Sequence, residues 1–136
     1  MNPEQLLKSN GSLKIPPPAF LEMGGEFVSL DPKTETAEVR FPVQERYENP
    51  LGYMQGGFLA AAVDNTIGPL SFLVAPPSVT KTMTMTYHKP VSAEMSHIIV
   101  RAQKESLDGR KLWLTAQVFD ANETLLADCR ALQIVL

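Results

Sequence analysis

The sequence predicts an α+β fold in which a curved antiparallel sheet is wrapped around one long helix. From Gly56 onwards a strongly apolar segment shows no alternation and is rich in helix-forming residues, which is typical of a buried helix. Two segments of alternating polarity precede it and four follow it, which is typical of half-buried strands. Because the helix is apolar on nearly every side, a sheet that encloses it explains the pattern better than a sheet that covers one face.

Residues 1–24 are predicted to form an N-terminal helix and an extended segment in front of the sheet. Residues 3–9 have the composition of a short amphipathic helix. The three prolines at 16–18 favour an extended segment that brings Phe20 and Leu21 back to the body of the protein. We expect one domain over residues 1–136, since no repeat or change in composition divides the chain.

Turn and breaker residues delimit the remaining elements. Pro69 lacks an N–H group and its ring collides with the preceding turn, so the helix is expected to kink or stop near Gly68-Pro69. Asp108-Gly109 is a strong hairpin signal. The strands are predicted over residues 27–30, 36–41, 80–88, 98–103, 111–119 and 125–136.

Composition excludes several classes of function. The 136 residues carry a formal net charge of −3 with no basic stripe, so we expect no nucleic-acid binding. The N-terminal residues do not resemble a signal peptide, and the longest apolar segment is interrupted by Asp64 and Pro69, so no membrane span is expected. Cys129 is the only cysteine, which favours a reducing cytoplasm, and no metal site or cofactor is predicted.

The start of the long helix is the first candidate for a functional site. The first N–H groups of a helix have no intrahelical partner and lie at the positive end of its dipole. Gly56 and Gly57 carry no side chain at this point, so a substrate oxygen is able to approach their N–H groups closely. Donors of this kind stabilise a developing oxyanion.

Asp64 is the second candidate, because it is an acid within an otherwise apolar helix. A carboxylate in such surroundings either finds partners or has a raised pKa, and it is then a candidate general base or nucleophile. The alternative is that Asp64 lies on the solvated side of the helix and pairs with Lys81 or Lys89.

The spacing of these residues resembles a known family. Asn49, Gly52, Gly56-Gly57 and Asp64 occur at the intervals found in the 4-hydroxybenzoyl-CoA thioesterase group of hotdog proteins, and most closely in its PaaI-type branch. The resemblance runs from about Phe27 to the C terminus. It implies a hotdog fold and hydrolysis of the thioester of a small aryl- or acyl-CoA. A thioester of an acyl carrier protein stays open as the substrate.

The resemblance also implies roles for individual residues. Asp64 acts as general base on water or attacks the thioester directly, the Gly56 N–H holds the carbonyl oxygen, and Asn49 orients the carbonyl or the water. Thr80, with Thr82 as the alternative, places the water. The site lies between the subunits of a homodimer, so that Asp64 of one protomer faces Gly56 and Asn49 of the other, and two dimers are expected to pair into a homotetramer.

Further residues are candidates for substrate contact. Gly57 and Thr82 lie beside the motif positions, and the Met83, Met85 and Tyr87 face of one strand either lines an acyl pocket or packs against the core. Four basic residues are candidates for the phosphates of CoA, and both histidines are expected at the surface or an interface: Lys89, Arg101, Lys104, Arg110, His88 and His97.

Gln55 departs from the family pattern, which has His before Gly-Gly. Glutamine donates a hydrogen bond but does not titrate near neutral pH, so it supports binding of a carbonyl oxygen and not proton transfer. This substitution favours the main alternative, a hotdog protein that binds acyl-CoA as a sensor or carrier without turnover. A hotdog dehydratase is disfavoured, since no His stands near Asp64 in the sequence.

Overall fold

The strands before and after the long helix form one antiparallel sheet, as the alternating pattern predicts. The computed structural model describes residues 15–136. In chain order the elements are α1 (Pro18–Glu22), β1 (Glu26–Asp31), β2 (Thr36–Pro42), a short 3₁₀ helix (Glu45–Tyr47), α2 (Gly56–Val74), β3 (Ser78–Tyr87), β4 (His97–Asp108), β5 (Lys111–Phe119) and β6 (Leu125–Val135).

The order of strands across the sheet is β1-β2-β4-β5-β6-β3. Consecutive strands from β4 to β6 pair as hairpins, whereas the chain crosses the sheet between β3 and β4. β3 pairs only with β6 among the described strands, with Met83 opposite Ala131 and Met85 opposite Cys129. β3 therefore forms an edge of the sheet with one side of its backbone unpaired.

The core lies between α2 and the concave face of the sheet. Val39, Val100 and Val118 on neighbouring strands have no exposed surface, and neither has Ile67 of α2. Burial of an aliphatic side chain of this size contributes about 1.5–3 kcal/mol relative to leaving it in water. By length and composition alone α2 would be able to cross a membrane, and part of its apolar surface, including Leu59, Val63 and Ile67, is buried in the core.

Of the two effects expected at Gly68-Pro69, a kink or a stop, the stop is wrong, because the helix continues through Pro69 to Val74. Two features make this proline tolerable. Its ring is buried in the core, which offsets the lost hydrogen bond, and the preceding Gly68 has no Cβ for the ring to strike. The helix ends at Ala75, whose backbone is extended, directly before the next pair of prolines.

The N-terminal segment differs from the predicted extended chain. Pro18 begins the short helix α1, since proline suits the first turn of a helix, where no N–H partner is required. Phe20 packs in the core with its ring 4.7 Å from that of Phe27, whereas Leu21 is 61% exposed and does not return to the body. The predicted helix over residues 3–9 lies outside the described residues.

Candidate active site

The first turn of α2 presents N–H groups that no side chain caps. Gln55 precedes the helix in an extended conformation (φ −59°, ψ 140°), and its side chain makes no capping hydrogen bond. Its carbonyl accepts the N–H groups of Phe58 and Leu59 at 3.0 and 3.2 Å. The N–H groups of Gly56 and Gly57 come before these and have no acceptor within the helix.

A cleft of about 290 Å³ opens beside this turn. Asn49, Gly56 and Leu59 line one part of it, and Tyr87 and Lys89 line another. A second groove, of about 360 Å³, is lined by residues of the sheet, among them the phosphate candidate Arg101, but by none of the predicted catalytic residues. The cleft at Gly56 is therefore the one that matches the predicted site.

Asn49 organises the loop that forms the wall of this cleft. Its side-chain oxygen accepts the N–H groups of Leu51 and Tyr53 at 2.9 and 3.1 Å. Gly52 lies between them with φ +83°, a conformation that favours glycine. Because its oxygen is committed to the loop, Asn49 has only its NH₂ group left to donate to a substrate or a water.

Asp64 is exposed in the single chain, and its hydrogen-bond partner is Thr80, whose Oγ1 donates to Oδ1 at 3.3 Å. Removal of water by the surrounding apolar helix and strand raises the pKa of the Asp64 carboxyl above its ordinary value, and the Thr80 hydrogen bond lowers it by a smaller amount. Within residues 15–136, neither Lys81 nor Lys89 forms an ion pair with Asp64. The expected lysine pairing is thus not what holds this carboxylate.

Gly56 and Asp64 do not meet within one chain. Eight residues along α2 separate them, which corresponds to about 12 Å along the helix axis and about 80° around it. Asp64 does not line the cleft at Gly56. One thioester carbonyl is therefore unable to contact both residues of the same protomer.

Of the remaining candidates for substrate contact, Thr82 and Met83 lie on β3 and Gly57 lies in the first turn of α2. A bulge separates Thr80 from Thr82, and Thr82 is exposed, whereas the hydroxyl that bonds Asp64 is that of Thr80. Met83 is partly buried against the core, which agrees with the packing alternative. Gly57 is exposed, and no atom lies within 4 Å of the place where a Cβ would be.

Lys89 is the one of the four basic candidates that lines the cleft. The other three are engaged elsewhere. Arg101 forms ion pairs with Glu38 and Glu123. Lys104 forms an ion pair with Glu35, and Arg110 donates a hydrogen bond to the Val135 carbonyl. His88 is exposed and forms a 2.6 Å contact with Asp128, as expected for a surface histidine.

Tyr87 is a site residue whose contact was not predicted. Its hydroxyl donates to the Gly56 carbonyl at 2.7 Å. A Cβ on Gly56 would lie 3.1 Å from the Tyr87 ring, so the missing side chain makes room for the tyrosine. Desolvation is the main cause that raises the pKa of the phenol above its ordinary value, so the hydroxyl keeps its proton at neutral pH.

Known proteins resemble this chain in sequence over part of its length. No protein-family model matches it. The mouse acyl-coenzyme A thioesterase THEM4 is 30% identical over 86 residues, which are 62% of this chain and 36% of that relative. The chain thus spans about a third of the length of the curated relative that it matches.

Solved structures match nearly the whole chain. The PaaI protein of the E. coli phenylacetic acid degradation operon has a TM-score of 0.85 at 15% identity, covering 98% of this chain and 95% of that one. Protein smu.793 of Streptococcus mutans, solved bound to acetyl-CoA, has a TM-score of 0.77 at 14% identity, covering 93% and 94%. The chain therefore has the hotdog fold. Its neighbours include PaaI-type and thioesterase-superfamily proteins, as the spacing of Asn49, Gly56 and Asp64 predicted.

Proposed function

We propose that this protein is an acyl-CoA thioesterase that works as a homodimer, with Asp64 of one protomer acting on a thioester held by Gly56 of the other. The observation that carries the proposal is the pairing of two features on one apolar helix. One is an uncapped N-terminus beside a cleft, and the other is a carboxylate of raised pKa two turns further along. The sequence likeness to THEM4 and the acetyl-CoA found in smu.793 support the substrate class.

The chemistry follows from the two groups. The N–H groups at the start of α2 donate hydrogen bonds to the thioester oxygen and stabilise the negative charge that develops on it. This is the role of an oxyanion hole. Ionised Asp64 then either removes a proton from a water that attacks the carbonyl carbon or attacks that carbon itself. In both routes the C–S bond breaks, CoA leaves as the thiol after protonation, and one water is consumed.

In a dimer, the N–H of Gly56 and the carboxylate of Asp64 are able to act on one thioester although they lie far apart in each chain. A carboxylate 12 Å along the helix does not reach the thioester bound at Gly56 of its own chain, whereas a two-fold axis brings Asp64 of the partner towards it. The unpaired edge of β3 suits such an axis, because two antiparallel copies of one strand extend a sheet across the boundary. Val79 and Tyr87, near the two ends of β3, are 53% and 49% exposed and offer apolar surface that a partner strand would cover. A further pairing of dimers into a tetramer stays a prediction.

Gln55 and Lys89 complete the proposed site. Gln55 is exposed immediately before the oxyanion donors and supplies a neutral amide where the family has a titratable histidine. Lys89 lines the cleft, and its positive charge suits it to bind a phosphate of CoA. The proton transfers therefore fall to Asp64, with Thr80 holding the carboxylate or its water.

The second candidate is an acyl-CoA sensor without turnover, and the observation in its favour is Gln55. Thiol release from a panel of aliphatic and aryl acyl-CoA esters distinguishes the two functions. We expect release by the wild type and a fall of at least about 100-fold in Asp64→Asn and Asp64→Ala, the usual size of a general-base contribution. Asp108→Asn at the β4–β5 hairpin is the matched control and should retain full activity.

Two results would contradict the proposal in different ways. A wild type that binds these esters but releases no CoA would establish the sensor function. An Asp64→Asn variant that hydrolyses as fast as the wild type would show that another group is the base.

A further inference from the structure

Tyr87 and Gly56 fit each other closely. The Tyr87 hydroxyl lies 2.7 Å from the Gly56 carbonyl oxygen, and the ring occupies the space that a side chain on Gly56 would need. β3 thus carries a contact to each half of the proposed site, Tyr87 to Gly56 near its end and Thr80 to Asp64 near its start.

The hydrogen bond acts on a particular peptide group. The carbonyl of Gly56 and the N–H of Gly57 belong to one planar unit and point in opposite directions. As the first residue of α2, Gly56 directs its carbonyl at the N–H of Ala60, and a second donor on this carbonyl further restrains the direction of the Gly57 N–H. It also polarises the unit, which makes the N–H a stronger donor. The N–H of Gly57 is one of the two that have no acceptor within the helix.

We propose that Tyr87 is a positioning residue for the oxyanion hole: its hydroxyl holds the Gly56–Gly57 peptide so that the Gly57 N–H is directed at the thioester oxygen. This inference rests on the proposed thioesterase function and adds to it a residue outside the family spacing. It also assigns a donor role to Gly57 beside that of Gly56. Tyr87 touches neither the carbonyl carbon nor the water, so its effect passes through the peptide.

A packing role for the ring alone would give a different result. The ring fills the space next to Gly56, and phenylalanine would do the same. Tyr87→Phe therefore removes the hydroxyl and keeps the packing. Tyr47→Phe is the matched control, because the hydrogen bonds of Tyr47 within residues 15–136 run through its backbone, while its ring is stacked on Phe58 at 4.2 Å.

The experiment compares wild type, Tyr87→Phe and Tyr47→Phe on an acyl-CoA that the wild type hydrolyses. We expect kcat of Tyr87→Phe to fall about 3- to 10-fold, the effect of one neutral hydrogen bond, with KM within about twofold of the wild type. Affinity for a non-hydrolysable thioether analogue of the substrate should be unchanged. In NMR spectra of the free protein, the amide proton of Gly57 should move upfield in Tyr87→Phe and stay in place in Tyr47→Phe.

Several outcomes would overturn the inference. Wild-type kcat in Tyr87→Phe would do so, as would a loss confined to KM or an unmoved Gly57 amide. These three results concern only the variant. Because the wild type would still hydrolyse the thioester, they would not contradict the proposed function. A wild type that hydrolyses no thioester would contradict the proposed function and the role of Tyr87 together.

Discussion

Replacement of Gly56 by proline removes one proposed oxyanion donor and adds a Cβ beside the Tyr87 ring. Proline has no N–H group, and Gly56 is the first residue of α2, the helical position that proline tolerates best. The preceding Gln55 already has the extended backbone (φ −59°, ψ 140°) that a residue before proline prefers. Gly56→Ala is the control, since it keeps the N–H and adds the same Cβ.

The size of the effect follows from the number of donors. Loss of one donor from an oxyanion hole costs about 10²–10³-fold in kcat, or about 2.7–4 kcal/mol of transition-state stabilisation. The Gly57 N–H remains in Gly56→Pro, so we expect the lower end, about 100-fold below Gly56→Ala. Both variants place a Cβ 3.1 Å from the Tyr87 ring, so any cost of that contact cancels in the comparison.

The assay is steady-state CoA release, with thermal unfolding as the check on folding. Melting temperatures of the two variants should agree within a few degrees, because the missing N–H has no partner within the helix. If Gly56→Pro and Gly56→Ala turn over within threefold of each other, the N–H of Gly56 is not an oxyanion donor and the reasoning fails.

Three further predictions concern the base, the departure from the family pattern and the core. Thr80→Val removes a hydrogen bond that favours ionised Asp64, so the pKa of Asp64 rises and the acid limb of the kcat/KM–pH profile moves to higher pH; an unmoved limb would show that Asp64 does not control it. Gln55→His should retain or raise kcat, and a collapse of activity would show that Gln55 has a specific role of its own. Leu114→Ala should destabilise the fold by about 2–5 kcal/mol in urea titrations, since Leu114 has no exposed surface; a loss under 1 kcal/mol would mean that the core collapses around it.

The fold was predictable from polarity patterns because β2, β4 and β5 alternate between buried and more exposed positions. Alternation located the six strands, and the unbroken apolar segment located α2. A helix end at Gly68-Pro69, one of the two effects expected of the proline, does not occur, because local propensity takes no account of the core that buries Pro69. The order of strands across the sheet was not predictable. No local sequence signal shows that β3 pairs with β6, at the edge opposite β1.

Sequence spacing predicts the relative positions of site residues only where they lie on the same helix. The positions of Gly56 and Asp64 on one helix follow from the sequence, and so does their distance. The choice of Thr80 over Thr82 as the partner of Asp64 depends on a bulge between them, which alternation does not reveal. The contact of Tyr87 with Gly56 depends on how β3 passes the start of α2, and only the absent side chain of Gly56 hinted at a close neighbour.

The central claim is that Asp64 works across the subunit boundary, and a heterodimer tests it directly. Chains carrying Asp64→Asn and chains carrying Gly56→Pro are co-expressed with different tags, and the heterodimer is isolated through both. If each site combines Asp64 of one protomer with Gly56 of the other, one of its two sites is intact, and the heterodimer should have about half of the wild-type rate per dimer. If each site lies within one chain, both sites are damaged, and a heterodimer as inactive as the two parent homodimers would contradict the claim.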